Sequence, residues 1–298
     1  MAIADALGAE RLVELESGPV RYRERGAGRP VVFVHGLLAN GLLWRQAVPA
    51  LARATDGLWA ITPDWPFGSH SAPMGPGADL SPPGMASLIA GFLEALDLTD
   101  VVLVANDTGG AFVQGVLADH PERVAGAVLA TCDAYERFLP PPFHVLSSVA
   151  RAPGSMWALC QALRSRTVQR SPLAYGWLTK RPIPEEVVDS FLAPSRRDRA
   201  IRRDLAKMLR HIDRRYTLKV VDRLQRCDRP VLLAWAAEDK LFPLSLAERM
   251  VAQVPSAWLV PVSGSRTFVP EDQPDTLAEL VADFVAGLAP GHAAHQSG

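Results

Sequence analysis

A chain of 298 residues, 48% hydrophobic and 21% charged, has the balance of an ordinary globular protein and can bury one large core, or one core with an inserted cap. Its formal net charge of −1 gives no ground to expect nucleic acid or an anionic membrane as partner, and no apolar run approaches the ~20 residues that a membrane-spanning helix needs. The opening residues 1–6 carry an early acid and no leader pattern, and Cys132, Cys160 and Cys227 have neither disulfide nor zinc spacing; a reducing cytoplasm is the expected setting, with the cysteines as apolar filler.

The first elements read as a hairpin, Arg11 to Leu15 and Val20 to Glu24, turning at Ser17-Gly18-Pro19. Val31 to Val34 is then a continuous apolar run rich in β-branched residues, the texture of a strand buried on both faces of a parallel sheet. The same texture returns at 58–61, 101–104, 125–129, 231–235 and 258–260. Helical periodicity lies between them at 42–52, 85–96, 111–117, 244–254 and 276–285. Strand and helix in alternation predict a parallel α/β sheet whose ligands collect at the carboxyl ends of the strands.

The alternation stops between about Ala134 and Arg229, where prolines punctuate helix-like patches. One patch places Ile201, Leu205, Met208, Leu209 and Ile212 on a single helical face, with the arginines of 196–215 read as a solvated, salt-bridged surface. A core of 1–133 and 230–289, a helical cap of 134–229 and a disordered tail of 290–298 is the expected organisation.

The segment with chemical content is Val101-Val102-Leu103-Val104-Ala105-Asn106-Asp107-Thr108-Gly109-Gly110-Ala111. A buried strand runs into small-x-Asp-x-small and then into a helix, the form of a nucleophile elbow with Asp107 at its apex. An aspartate ahead of a helix is, taken alone, an ordinary N-cap; the strand before it and the apolar helix after it make the pattern specific. His35-Gly36-Leu37-Leu38 follows the earlier strand, where such folds build half of an oxyanion hole, so the backbone N–H groups of Leu37 and Thr108 would converge on one point.

On these motifs the chain resembles the α/β-hydrolase superfamily over nearly its whole length, and at the elbow the branch with aspartate nucleophiles, which includes haloalkane dehalogenases and epoxide hydrolases. The resemblance implies a mostly parallel sheet with an inserted helical cap, and an acid of the catalytic triad at Asp239, after the strand 231–235. It also implies a histidine after the last strand. There the sequence reads Gly264-Ser265-Arg266-Thr267-Phe268, Thr267 stands in the histidine's place, and no histidine occurs between His211 and His292.

A serine nucleophile would be disabled by that loss, because it needs a base to take its proton. An aspartate, expected to be ionised at neutral pH beside a helix N-terminus, would still attack alkyl carbon. What would fail is activation of water to cleave the alkyl ester, a contribution of roughly 10²–10⁴-fold. His70, on the loop after strand 58–61, is a candidate substitute base, against the plain reading of a surface loop histidine. Asp133, at the next strand end, is a candidate second acid, against the plain reading of a capping carboxylate. His35, His120 and His211 read as structural, and His144 stays open.

Haloalkane dehalogenases place a tryptophan after the nucleophile to hold the halide; here Thr108 stands there, and the asparagine of the oxyanion loop is Leu37, with Asn40 displaced nearby. Epoxide hydrolases use two cap tyrosines, for which Tyr135, Tyr175 and Tyr216 are candidates, against packing with the hydroxyl at the surface. The expected function is hydrolase-like action of the epoxide or C–halogen type on a small or mid-sized neutral molecule in an apolar pocket, with an atypical triad and no cofactor or metal. The alternatives are a lyase, isomerase or cyclase using Asp107 as acid or base, and a catalytically inactive ligand-binding protein. Oligomeric state is left open.

Overall fold

In the computed structural model, which describes residues 3–288, the eight expected strands are β1 (Ala9–Leu15), β2 (Gly18–Gly26), β3 (Arg29–Val34), β4 (Leu58–Pro63), β5 (Val101–Asp107), β6 (Val124–Cys132), β7 (Val231–Ala236) and β8 (Ala257–Val262). The tail expected to be disordered, 290–298, falls outside the described residues. The strands form one sheet in the order β1-β2-β4-β3-β5-β6-β7-β8. β1 and β2 pair antiparallel, β2 lies antiparallel on β4, and every later pairing is parallel. All seven residues of β5 are buried, as a central strand covered on both faces requires.

The covering helices are α1 (Ala47–Ala54), α2 (Pro82–Ala95), α3 (Thr108–Asp119), α10 (Leu244–Gln253), α11 (Val269–Asp272) and α12 (Pro274–Gly287), with α1 packed on α12 and α2 on α3. The helix expected over 42–52 is split into a 3₁₀ turn, Gly41–Trp44, and α1. At the junction Arg45 turns inward, and its guanidinium makes a two-pronged ion pair with Glu271, the Nη2–Oε2 arm measuring 2.8 Å.

The helical cap between β6 and β7 carries α4 (Leu146–Val149), α5 (Ser155–Ala162), α6 (Arg166–Gln169), α7 (Glu185–Arg197), α8 (Arg199–His211) and α9 (Arg214–Leu224). Four of the five apolar residues of the expected face lie in α8 and the fifth, Ile212, is its extended C-cap; all five are buried, and Asp198 caps the helix start by accepting from Ala200 N at 2.7 Å. The last helix, α9, packs on α3, so the insert ends against the helices of the core.

Several bonds latch the cap to the sheet domain. Phe268 N donates to Leu178 O at 2.7 Å, and the Asp272 carboxylate accepts from Lys180 N, Arg181 N and Arg266 N at 2.9–3.2 Å. Tyr175 donates its hydroxyl to Leu38 O at 2.6 Å. Among the described residues no helix is long and apolar enough to cross a membrane.

The Arg45–Glu271 pair is buried on both sides, with side chains 8% and 5% exposed. Removing one member of such a pair strands the other charge, so Glu271→Ala is expected to cost about 3–5 kcal/mol in urea denaturation. A loss below about 1 kcal/mol, the worth of an exposed ion pair, would refute the importance of this contact.

Candidate active site

Asp107 sits at the end of β5 with φ 54° and ψ −135°, a conformation that side chains other than glycine's rarely adopt, and α3 begins at the next residue. The turn is held by close backbone approach. A Cβ on Gly36 would lie 2.0 Å from Asp107 Oδ2, and one on Gly109 would lie 2.4 Å from His35 O. Glycine at both positions is what lets the loop after β3 and the elbow after β5 close on each other. His35 supports that loop: its Nε2 accepts from Trp65 N at 2.9 Å, its Nδ1 faces Gly36 O, and burial drops its pKa to about 3, so it is neutral.

The Asp107 carboxyl is 9% exposed, and its pKa is pushed from 3.8 up to about 7. Burial is the largest cause; Asp239 nearby adds to it, while hydrogen bonds from the backbone N–H groups of Thr108 and Leu37 oppose it. The two N–H groups thus do converge, and they converge on the carboxyl itself. Against the expectation that Asp107 is ionised at neutral pH, loss of water outweighs the two donors and raises its pKa.

Thr267, 0% exposed, lies where the resemblance implies a histidine, and its hydroxyl donates to Asp239 Oδ2 at 2.6 Å. The other oxygen of Asp239 accepts from Leu241 N and Phe242 N, both at 2.6 Å. Burial raises the Asp239 pKa, and these three donors, with Arg266 behind them, pull it back. Asn106 ties this loop to the elbow by donating its amide to Thr267 O at 2.6 Å.

Asp133 is wholly buried beneath Thr108. Its Oδ1 accepts from Leu139 N at 2.9 Å, and burial, reinforced by Asp107, pushes its pKa up against the opposing hydrogen bonds of the Thr108 side chain and Leu139 N. The cavity above Asp107 is lined otherwise by Leu37, Leu38, Thr108, Tyr175, Leu241 and a run of cap residues from Leu139 to Leu178. Apart from Asp107, Thr108 and Tyr175 every lining residue is apolar, and the free space is narrow, about 70 Å³. Tyr175 has its hydroxyl turned onto Leu38 O, and burial next to Asp107 keeps it protonated.

The remaining candidates are not brought to this cavity. His70, buried, faces Asp204 of α8 at 3.3 Å, and that carboxylate also accepts from Met74 N; the ring fastens the cap to the loop after β4. Asn40 caps the 3₁₀ turn by accepting from Leu42 N at 3.0 Å. Tyr135 donates to Gln253 at 2.8 Å beneath the Arg249 guanidinium, and Tyr216 stands against Gly115 of α3. For His70, Tyr135 and Tyr216 a contact set by tertiary packing, invisible in the local sequence, turns the side chain elsewhere, while Asn40 is turned by the local cap it makes. What the motifs did not point to is the cavity wall: Phe143, Leu146, Leu159, Leu163, Leu173 and Leu178 come from a proline-broken stretch whose periodicity is too short to orient. Among the described residues no cluster of His, Cys, Asp or Glu is arranged to hold a metal ion.

Residues 31–280 match the alpha/beta hydrolase family. The chain belongs to that family. As a family member it is a hydrolase-like enzyme. It is 26% identical to haloalkane dehalogenase 2 of Mycobacterium tuberculosis, over 92% of this chain and 93% of that one. It is 24% identical to cis-3-alkyl-4-alkyloxetan-2-one decarboxylase of Shewanella oneidensis, over 89% and 85%. The crystal structure of haloalkane dehalogenase DatA from Agrobacterium tumefaciens superposes with a TM-score of 0.77 at 21% identity, covering 96% of this chain and 99% of that one, a likeness of fold.

The electrostatics of this hydrolase-fold site predict a pH-dependent stability. Because the folded chain holds the Asp107 proton up to about pH 7 and an unfolded chain releases it near 3.8, this group's contribution is fully present below 3.8 and is lost as pH rises toward 7. Asp107→Asn keeps the shape and removes the charge, so it is expected to stabilise the fold at pH 8 by about 1 kcal/mol or more, and to change it little at pH 4. Equal effects at the two pH values in thermal denaturation would be incompatible with a buried, proton-binding carboxyl.

Proposed function

We propose that the protein acts on a small, apolar organic molecule through attack of Asp107 on an alkyl carbon of the epoxide or C–halogen type, and that it lacks the base that would normally release the resulting ester. The observation that carries the reading is the state of the Asp107 carboxyl. One end of it is engaged by the Leu37 and Thr108 N–H groups at the floor of an apolar cavity. The same two donors would stabilise negative charge on the ester carbonyl if it were attacked by water, which is the oxyanion-hole role. The kinship with haloalkane dehalogenases supports the alkyl-transfer step. At the position of the water-activating base stands Thr267, whose hydroxyl is already spent on Asp239. In this reading Asp239 holds the Thr267 loop, and Asp133 positions Thr108.

After attack, the carbon–halogen bond breaks and halide leaves, or an epoxide carbon–oxygen bond breaks and the freed oxygen takes a proton from water; either way Asp107 carries the alkyl group as an ester. Incubation with a panel of alkyl halides and epoxides is therefore expected to add one alkyl equivalent to the intact mass, and Asp107→Asn is expected to abolish the addition. The rate of labelling should rise with pH through about 7, since only the ionised carboxyl attacks. Labelling that survives in Asp107→Asn would remove Asp107 from the reaction. Thr267→His, which places an imidazole on Asp239, is expected to convert the lasting adduct into turnover, with ester release faster by roughly 10²–10⁴-fold.

A second reading is favoured by the same threonine. An ester that cannot be cleaved by water can still be discharged if the substrate carries its own electron source. In an oxetan-2-one, the substrate class named for the Shewanella relative, attack of Asp107 on the alkyl-bearing ring carbon breaks the ring C–O bond and frees a carboxylate on the neighbouring carbon. Loss of that carboxylate as CO₂ supplies the electron pair for a C=C bond while the Asp107 ester bond breaks, which restores the carboxylate without water, base or oxidant. With a 3,4-dialkyl oxetan-2-one this reading expects an alkene and CO₂ in equal amounts, and an Asp107 carboxylate that takes up no ¹⁸O from labelled water. A β-hydroxy acid as the product would exclude it.

A further inference from the structure

Net charge conceals how charge is distributed along this chain. Between Glu136 and Glu185 there is no aspartate or glutamate, while Arg137, Arg151, Arg164, Arg166, Arg170, Lys180 and Arg181 all fall there. This is the part of the cap that walls the cavity, from Leu139 to Leu178. Arg166, Arg170 and Lys180 find acids from outside the stretch, in Asp189, Glu185 and Glu238. Arg151 and Arg164 do not: both are exposed, and their hydrogen bonds go to backbone carbonyls of Ser147 and Arg210 and to the Gln161 amide oxygen.

The same stretch carries exposed apolar side chains. Val145 is 48% exposed, Trp157 56% and Leu173 68%, and among the described residues the only other large hydrophobic so exposed is Leu12, on the edge strand β1. Leu173 is itself part of the cavity lining, Val145 lies between the lining residues Phe143 and Leu146, and Trp157 shares α5 with the lining residue Leu159. Exposed apolar side chains on the stretch of chain that walls an apolar cavity, interleaved in sequence with arginines lacking carboxylate partners, fit a surface that is apolar beneath and anionic at its boundary.

We propose that this basic and apolar part of the cap docks on an anionic lipid surface, with Val145, Trp157 and Leu173 entering the headgroup boundary and Arg151 and Arg164 meeting lipid phosphates. Indole prefers that boundary, and arginine stems can lie along apolar surface while their heads stay in the polar layer. The cavity would then open toward the phase in which an apolar substrate accumulates. The inference does not depend on what Asp107 does once the substrate arrives.

The test is flotation of the full chain with vesicles of phosphatidylcholine alone and of phosphatidylcholine with phosphatidylglycerol. Binding is expected only to the anionic vesicles and is expected to weaken steeply between 50 and 300 mM salt, as ~8–10 Å screening lengths demand. Arg151→Ala and Arg164→Ala should each lower the binding constant by roughly fivefold, and Trp157→Ser should also weaken it, with thermal denaturation confirming that each variant is folded. None of the three residues lines the cavity, so reaction with a freely soluble substrate should be unchanged. Absence of binding to anionic vesicles, or binding indifferent to these substitutions, overturns the proposal. So does a concentration-dependent dimer abolished by Trp157→Ser, which would make a second copy of the chain the occupant of this face.

Discussion

A carboxyl group held out of water with no cation beside it is the constraint around which this molecule is arranged. The groups that favour its charge are two backbone N–H donors, one from the loop after β3 and one from the first residue of α3, and both are where they are because the sheet brings the ends of β3 and β5 side by side. The strained backbone at Asp107 and the glycine contacts at Gly36 and Gly109 are needed for the same convergence. Strain, desolvation and a raised pKa are thus three aspects of one geometry, stabilised by a large buried core on either side. The cap completes the isolation from water, and its latches to Leu38, Asp272 and Phe268 all lie on the loops that build the site.

Most of the fold was legible because its strands are buried on both faces. Continuous β-branched runs such as Val31–Val34 and Val101–Val104 leave little choice of structure, and the elbow motif pointed to the end of β5 as the candidate site. Asp107, Leu37 and Thr108 could be placed together because backbone position alone brings them there. Side chains that work at a distance could not. Tyr135, Tyr216, Asn40 and His70 were plausible by location, yet their directions follow from partners as remote in sequence as Gln253, Gly115, Ser190 and Asp204. The raised pKa of Asp107 was out of reach for a related reason: a helix N-terminus can be read from sequence, but the depth of burial that opposes it cannot.

The cap presents the opposite case. Its linear pattern is weak, since prolines interrupt the periodicity, and overall composition averages its cations against acids elsewhere. Only when exposure is assigned residue by residue does the association of Trp157 and Leu173 with Arg151 and Arg164 emerge. A statement about net charge constrains solubility and long-range steering, and it is silent about faces.

The loop carrying position 267 is fixed by its main chain. Thr267 O accepts from Asn106, Phe268 N reaches Leu178 O, and Arg266 N reaches Asp272, so three anchors are independent of the side chain at 267, whose hydroxyl adds a bond to Asp239. The scaffold therefore keeps an address open while leaving its occupant free to change. On the proposed reading, exchanging that one residue would remove or restore the water-dependent step while the main-chain anchors of the loop stay in place.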